Sequence, residues 1–281
     1  MQLSVVIITF NEEANIGRTL TSVQPLVADG KGEIIVVDSG STDRTVEIAK
    51  SFGAKVFIED WKGYAAQKNS AIDRAAGDWI LSLDADEELD SDLIKELTGS
   101  AKSSERPYEW CLTMGGGSSA REVTRGSPVG FSVQRKNFFL GRWIKHGGFW
   151  PDPKLRLFQQ GNGRFEDRAV HEDARIEGNT KRIPRGTLIH HSYPTLSDYI
   201  DHMNRYSSLG AEMVVAKGKV RFSFINIVLR PMFTFIYNYF FRLGFLDGRE
   251  GLLLHLYHAV YVSWKYAKAW ELSRKPNALS S

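Results

Sequence analysis

The stretch LSLDADEE, residues 81–88, decides the fold of this 281-residue chain. A short apolar run, residues 79–83, ends there in a group of carboxylates, which is typical of a buried strand with a polar C-terminal tip. Ligands of open α/β sheets bind beyond the carboxyl ends of the strands. Asp84 and Asp86 are two residues apart on extended backbone, so they point the same way and can hold a hard divalent cation. The alternative is an acidic loop before a helix that Asp90 caps.

Three more apolar runs precede this stretch, at residues 3–9, 34–37 and 54–58. Segments with helical periodicity separate the runs. The third of these segments, residues 63–76, is predicted to end at Gly77, a common helix stop signal. Strands and helices that alternate with short links predict an α/β fold with a doubly wound, mostly parallel sheet.

Polar residues stand where the first two strands of this sheet end. Thr9, Phe10, Asn11 and Glu12 end or follow the first strand, and Asp38 follows the second. The tips of parallel strands meet at one edge, so we expect these groups to converge with Asp84. Neither a Gly-x-Gly-x-x-Gly motif nor a P-loop follows the first strand, so a dinucleotide cofactor is not expected. For Asp38 we favour contact with a base or a ribose hydroxyl over capping of the next helix.

Composition restricts the classes of partner. The formal net charge of +3 and the charged fraction of 25% are too ordinary to indicate a nucleic-acid partner. A single cysteine, Cys111, excludes an internal disulfide and suits a reducing compartment. The first residues form an apolar strand without a basic lead or a cleavage site, so we expect no signal peptide and a cytoplasmic location.

Three sequence blocks, in this order and spacing, resemble the family 2 inverting glycosyltransferases of the GT-A fold. They are VVIITFNE at residues 5–12, IIVVDSGSTD at 34–43 and GDWILSLDAD at 77–86. The resemblance implies a nucleotide diphosphate sugar as donor and a divalent metal, Mn2+ or Mg2+, at Asp84 and Asp86.

By the same resemblance, Thr9, Asn11, Glu12 and Asp38 belong to the nucleotide pocket, with Phe10 in the same block. Asp84 is expected to contact either the ribose of the donor or the metal. Lys68 stands where the family often places a basic residue near the base or the diphosphate. The alternative for Lys68 is an exposed lysine on a helix.

Direct displacement at an anomeric carbon needs a general base on the face opposite the leaving diphosphate. Residues 165–172, FEDRAVHE, offer the best supply of carboxylates. The phrase at 170–172 resembles a family 2 subgroup that builds lipopolysaccharide core, and we assign the base to Glu172. Asp167 is the second candidate. The alternative is that both are loop charges in salt bridges with nearby arginines.

Two other segments supply candidates for the same chemistry. Lys154 and Arg156 lie in a segment where basic and apolar residues alternate, as in a half-buried strand. We expect them to face either a diphosphate or an anionic acceptor. The alternative is that they are ordinary charges on an edge strand. Trp150 offers a flat face for a sugar ring. His190, at the end of a short apolar run, is placed by the resemblance as the distal metal ligand, since imidazole suits a metal such as manganese.

The C-terminal third is basic and rich in aromatic residues. We expect residues 1–195 to form the catalytic domain and residues 196–281 a helical region. Its apolar segments are interrupted or too short to span a membrane, whereas aromatics mixed with Arg and Lys fit helices in the membrane interface. The alternative is a helical hairpin that covers the sheet or forms a homodimer contact.

These observations predict an inverting, metal-dependent glycosyltransferase that moves a hexose to a saccharide or glycolipid acceptor. The resemblance to the lipopolysaccharide core glucosyltransferase group implies glucose from UDP-glucose as the donor and an inner-core heptose of lipopolysaccharide as the acceptor. The enzyme would be peripheral on the inner face of the cytoplasmic membrane. The alternatives are a transferase of another nucleotide sugar, a sugar nucleotidyltransferase, or a non-catalytic relative. Nucleotidyltransferases usually open with a Gly-rich basic loop, which residues 10–13 lack.

Overall fold

The computed structural model describes residues 2–99, 128–166, 174–218 and 220–274. Its strands are β1 Leu3–Thr9, β2 Gly32–Asp38, β3 Lys55–Ile58, β4 Trp79–Asp84, β5 Glu87–Leu89, β6 Gly130–Phe139, β7 Arg142–Trp143, β8 Pro153–Gln159, β9 Gly163–Phe165, β10 Ala174–Ile176 and β11 Thr180–Tyr193. Its α-helices are α1 Ile16–Val27, α2 Thr45–Ser51, α3 Tyr64–Asp73, α4 Ser91–Thr98, α5 Leu196–Ala216, α6 Arg230–Ile236 and α7 Gly248–Arg274. Short 3-10 helices at Ala28–Gly30 and Gly244–Asp247 and π-helical turns at Ile225–Leu229 and Tyr237–Phe241 complete the described elements.

The main sheet has the strand order β3-β2-β1-β4-β8-β6-β11-β5, with β7 paired to the end of β6. Strands β3, β2, β1 and β4 are parallel, and β8 joins β4 in the antiparallel direction. A separate two-stranded sheet pairs β9 with β10. The predicted α/β fold with a doubly wound sheet is confirmed, and antiparallel strands extend its parallel half.

Strand β1 shows why the sheet is covered on both faces. All seven of its residues are buried, and alternate side chains enter two different apolar clusters. Ile7 packs in the cluster that contains Leu20 of α1, whereas Val6 packs in the cluster that contains Ile72 of α3. Each such side chain stabilises the fold by about 1.5–3 kcal/mol, so the β-branched run commits β1 to the centre of the sheet.

Helix α3 ends at Asp73, so the prediction that it continues to residue 76 with Gly77 as its stop signal is wrong. Gly77 has a different reason to be glycine. A Cβ atom at this position would lie 2.8 Å from both the carbonyl oxygen of Gln2 and the backbone nitrogen of Ser4. The chain passes the start of β1 too closely for any side chain.

The chain divides into two compact units. Unit 1 comprises Met1–Arg135, Asp152–Arg168 and Glu172–His190, and unit 2 comprises Lys136–Pro151, Ala169–His171 and His191–Ser281. Unit 1 contains the parallel strands and both clusters beside β1. Unit 2 has its own apolar cluster, which includes Phe139, Ile144, Tyr199 and Leu254. The predicted division at residue 195 stays a prediction; the segment Lys136–Pro151 groups with the C-terminal helices.

The C-terminal region is helical, as predicted. Helix α5 opens with a capping box in which Thr195 accepts a hydrogen bond from the backbone of Asp198 and the Asp198 carboxylate accepts from Thr195. The long helix α7 ends at Arg274. Among the helices of the described residues, none is long and apolar enough to cross a membrane.

Candidate active site

The strand register of unit 1 brings the polar strand ends together. Thr9 is opposite Asp38 in the β1–β2 pair, and Ile8 is opposite Asp84 in the β1–β4 pair. Three strand ends that are far apart in the sequence therefore form one polar edge. We call Asp84, Asp86 and Glu87, which lie at this edge, the acidic tip.

Asp38 organises the loop that follows β2. Its side chain is fully buried and accepts hydrogen bonds from the backbone nitrogens of Gly40 at 2.9 Å and Ser41 at 2.8 Å, and from the Ser41 hydroxyl. Asn11 ties the loop after β1 to the same region, because its backbone nitrogen donates to the Ser41 hydroxyl and its side chain accepts from the Thr42 nitrogen. A cleft of about 430 Å³ adjoins Ser39 and Gly40.

Asp84 lies between two cations. Its Oδ1 is 2.8 Å from Nζ of Lys68, and its Oδ2 is 2.7 Å from Nη2 of Arg156. Burial by itself raises the pKa of Asp84, but Lys68 and Arg156 outweigh burial and hold that pKa well below its usual range. Lys68 and Arg156 are each 4% exposed, so neither is the plain surface charge that the sequence allowed as an alternative.

Asp86 meets His190 on the same edge. The antiparallel pairing of β11 with β5 places His190 opposite Glu87, and His190 Nε2 lies 3.1 Å from Asp86 Oδ2. Burial raises the pKa of Asp86 and His190 lowers it, and the resulting pKa lies below its ordinary value. The structure thus brings together two residues predicted as metal ligands from positions more than a hundred residues apart.

Glu87 is the member of the acidic tip whose role the sequence did not reveal. It is fully buried and accepts hydrogen bonds from Arg156 Nη2 at 2.5 Å, Arg135 Nη1 at 3.2 Å and the backbone nitrogen of Asp84 at 3.2 Å. Arg135 also pairs with Asp152 at 2.9 Å. The one available signal was the run of carboxylates at 84–88, which does not say which member is buried.

Glu12 contributes a titratable group beside the tip. The pKa of Glu12 is raised to about 7. Burial is the largest cause, the charges of Asp86, Asp43 and Asp84 act in the same direction, and the hydrogen bond from Asn15 opposes them. Two buried polar atoms near the same strand ends, Thr9 Oγ1 and Arg156 Nε, find no hydrogen-bond partner in the described part of the chain. A bound polar ligand would satisfy such atoms.

The donor chemistry of Asp86 and His190 fits a divalent cation such as Mn2+, which accepts carboxylate oxygen and imidazole nitrogen. Asp84 points to the same edge, but its oxygens already contact Lys68 and Arg156. Within the residues that the structure describes, no group of three His, Cys, Asp or Glu side chains is arranged to hold a metal. Among the described residues, Asp86 and His190 would therefore be the protein ligands, and oxygen atoms of a bound substrate could fill further positions of the shell.

The remaining predicted residues are Lys154, Trp150, Glu172 and Asp167. Lys154 forms a salt bridge with Asp152 at 3.2 Å in unit 1. Trp150 belongs to unit 2, where its ring packs edge-to-face on Trp143 with 5.3 Å between centroids. Glu172 and Asp167, the two candidates for the base, lie outside the described residues.

A mixed α/β sheet that carries a cluster of carboxylates at the ends of its parallel strands agrees with the class of glycosyltransferases predicted above. Residues 4–160 match the model of Glycosyl transferase family 2, and the chain belongs to this family. The chain is therefore a glycosyltransferase, which counts against the nucleotidyltransferase alternative.

Relatives agree with this placement. The chain is 30% identical over 286 residues to the lipopolysaccharide core biosynthesis glycosyltransferase LpsC of Rhizobium meliloti (strain 1021), covering 99% of this chain and 96% of that protein. It is 32% identical to an uncharacterized glycosyltransferase of Rickettsia bellii (strain RML369-C), covering 98% and 88%. The chain is thus a family 2 glycosyltransferase related to one of lipopolysaccharide core biosynthesis.

Solved structures with a similar chain trace include a mannosyltransferase from Pyrobaculum calidifontis in complex with GDP-Man and Mn2+. The TM-score is 0.49 at 16% identity, with 97% of this chain and 85% of that chain covered. Another is S. aureus TarS in complex with UDP, with a TM-score of 0.46 at 15% identity and 98% and 91% coverage.

Proposed function

We propose that this protein is an inverting, metal-dependent glycosyltransferase that moves glucose from UDP-glucose to a lipid-linked saccharide, such as an inner-core heptose of lipopolysaccharide. Membership of family 2 and similarity to LpsC support the reaction class and the kind of acceptor. The observation that carries the proposal is the acidic tip, where carboxylates, His190 and buried cations meet at the ends of parallel strands.

The nucleoside end of the donor would occupy the cleft beside Ser39 and Gly40. Asp38 fixes that loop by accepting two hydrogen bonds from its backbone and one from the Ser41 hydroxyl. Thr9 Oγ1 is a buried hydroxyl without a hydrogen-bond partner among the described residues, so it is open to a ligand. Phe10, at 55% exposed, is available to stack on a base. These contacts would orient the donor before transfer.

Asp86 and His190 would hold the divalent cation, Mn2+ or Mg2+. When bound, the cation would neutralise the negative charge that builds up on the departing diphosphate. Lys68 and Arg156 add two fixed positive charges, which Asp84 holds in place from between them. This preorganised arrangement needs no rearrangement of charged side chains as the sugar leaves.

The acceptor hydroxyl needs a base to take its proton as the oxygen attacks. We assign that role to Glu172, with Asp167 as the second candidate. Glu172→Gln should leave UDP binding nearly unchanged while the transfer rate falls by about 10²–10⁴-fold. The same outcome for Asp167→Asn instead would move the base to Asp167.

The protein would act at the inner face of the cytoplasmic membrane, where lipid-linked acceptors are presented, with the region after residue 195 providing membrane or homodimer contacts. A transferase of another nucleotide sugar on the same site is the alternative.

Thermal unfolding in the presence of UDP-glucose, other UDP-sugars and GDP-mannose, each with and without Mn2+, tests the donor. Ligand at about 100 times its dissociation constant stabilises the native state by about 2.7 kcal/mol. We expect the largest rise in Tm with UDP-glucose and Mn2+ together. A rise with GDP-mannose alone, or the same rise in the presence of a chelator, would contradict the donor or the metal respectively.

A further inference from the structure

Residues 221–246 of unit 2, which we call the exposed segment, carry an unusual amount of uncovered apolar surface. Thirteen of the twenty-one large apolar side chains that are exposed in the described residues lie in this stretch. Phe241 is 73% exposed, and Ile225 and Phe233 are each 64% exposed. So many exposed apolar side chains within one short stretch mark an interaction site.

One side of the exposed segment is already occupied by α7. The less exposed positions Ile227, Pro231, Phe235 and Tyr239 recur every four residues, which defines one face of a helix. The Ser263 hydroxyl of α7 donates to the carbonyl of Ile227 at 2.8 Å, and so ties the segment to that helix. An ordinary amphipathic helix would present polar residues on the opposite face, whereas here that face is apolar as well.

The charges of the exposed segment indicate what covers it. The stretch contains Arg221, Arg230 and Arg242, all exposed, and no Asp or Glu, and exposed Arg249 follows shortly after. A second copy of the chain in a symmetric dimer would place this basic surface against itself, and like charges would oppose that contact. A surface that is apolar and negatively charged suits it better.

We propose that the exposed segment binds the surface of an anionic lipid bilayer, with its apolar side chains at the boundary of the acyl chains and its arginines among the headgroups. The inference deepens the proposed function, on which it rests for the lipid-linked acceptor, by naming the surface that meets the membrane. Aromatic residues mixed with arginine are the composition expected at this depth.

Vesicle flotation of the full chain tests the proposal. The probes are vesicles of phosphatidylcholine alone and vesicles with about one quarter phosphatidylglycerol. We expect the chain to float with the anionic vesicles and at least about tenfold more weakly with the neutral ones. A chain that stays in the soluble fraction with both kinds of vesicle would overturn the proposal.

Variants separate the apolar contribution from the charged one. Replacing Ile225, Phe233 and Phe241 by Ser should weaken partitioning by at least about tenfold, because less apolar area enters the bilayer. Replacing Phe57, Trp61 and Met213, three exposed apolar residues outside the segment, by Ser is the matched control and should leave partitioning unchanged. Equal loss in both triple variants would contradict a specific surface.

The charge contribution is tested with Arg221→Gln and Arg249→Gln. Each arginine near an anionic surface is worth a factor of about five, so the double variant should bind about 25-fold more weakly. Its control is Lys50→Gln with Lys181→Gln, two exposed lysines outside the segment.

Two further measurements show which of the two proposals, the membrane surface or the proposed function, is wrong. If sedimentation shows that the full chain is a dimer and the Ile225, Phe233 and Phe241 variant is a monomer, the surface belongs to a second copy and the proposal is wrong. The rise in Tm with UDP-glucose is measured without vesicles. If the chain floats with anionic vesicles but UDP-glucose does not raise its Tm, the proposed function is wrong and the membrane surface stands. If UDP-glucose raises the Tm but the chain does not float, the membrane surface is wrong and the proposed function stands.

Discussion

The acidic tip buries charged side chains, whereas the exposed segment leaves apolar side chains uncovered. At the tip, Glu87 and Arg156 are almost fully buried, and their charges meet hydrogen-bonding partners within 2.5–3.2 Å. In the exposed segment, side chains that belong in a core lie open, and the charges are of one sign. The contrast teaches that a buried polar cluster is recognised by the hydrogen bonds among its own residues. An exposed apolar surface instead points to a binding partner outside the chain.

The largest expected effect is on catalysis at the tip. On the proposed mechanism, Asp86→Asn should lower the rate of sugar transfer by about 10³-fold, or about 4 kcal/mol, because this proposed ligand of the cation loses its charge. The measurement is initial transfer rate against Mn2+ concentration. Asp92→Asn is the control, since its carboxylate is exposed and pairs only with the surface Lys95 among described contacts. Unchanged transfer rates for Asp86→Asn would contradict a metal site at the acidic tip.

Glu87 tests whether the tip depends on internal pairing. Glu87→Ala leaves the guanidinium groups of Arg156 and Arg135 without their shared carboxylate in a buried site, which should cost about 3–5 kcal/mol of unfolding free energy. Chemical denaturation measures it. The neighbouring Glu88 forms a more exposed salt bridge with Arg18 at 3.1 Å, so Glu88→Ala should cost at most about 1 kcal/mol. Equal costs would show that the buried pairing is not what holds the tip.

Sequence patterns sufficed for the four parallel strands and for the position of Asp84 and Asp86. The apolar run of β1 is buried whatever lies around it, so its place in the sheet follows from composition alone. Asp84 and Asp86 were predictable because they directly follow such a run. The pairing of Asp86 with His190 agrees with what the resemblance implied.

Other features depend on contacts between residues that are far apart in the chain. Glu87 meets Arg156 and Arg135 across 69 and 48 positions, and no local pattern records such a pairing. Gly77 could be recognised as a punctuating residue, but its actual constraint is the backbone of Ser4. For the exposed segment, periodicity predicts a helix, but exposure can be read only when the packing against α7 is known.

Two phenylalanines of unit 2 sharpen the contrast between covered and uncovered apolar residues. Phe139 is 1% exposed and packs edge-to-face on Tyr199, so Phe139→Ala should cost about 3–5 kcal/mol of unfolding free energy. Phe241 is 73% exposed, and Phe241→Ala should change that free energy by no more than about 0.5 kcal/mol. Denaturation without lipid measures both. A large cost for Phe241→Ala would mean that its surface stabilises the fold and is not kept for a partner.

The smallest effect concerns Glu12, whose folded pKa of about 7 lies above the ordinary value of 4.5. Between these two values the folded state holds a proton that the unfolded state has released. Stability from this group therefore falls as the pH rises from about 4.5 to 7, and the loss is complete above that range. Glu12→Gln cannot ionise, so its advantage over the native chain should grow by about 1–3 kcal/mol between pH 5 and pH 8.

Denaturation midpoints of both proteins over this pH range measure the effect, and Glu47→Gln supplies a control of opposite sign. Arg44 lowers the pKa of Glu47, so the native Glu47 contributes stability that is present above the ordinary value and is lost as the pH falls. Glu12→Gln should thus gain on the native chain toward high pH, whereas Glu47→Gln should gain only toward low pH. If the stability of the native chain and that of Glu12→Gln change in parallel with pH, burial beside Asp86 does not hold a proton on Glu12. Glu12 would then be ionised next to the carboxylates of the acidic tip.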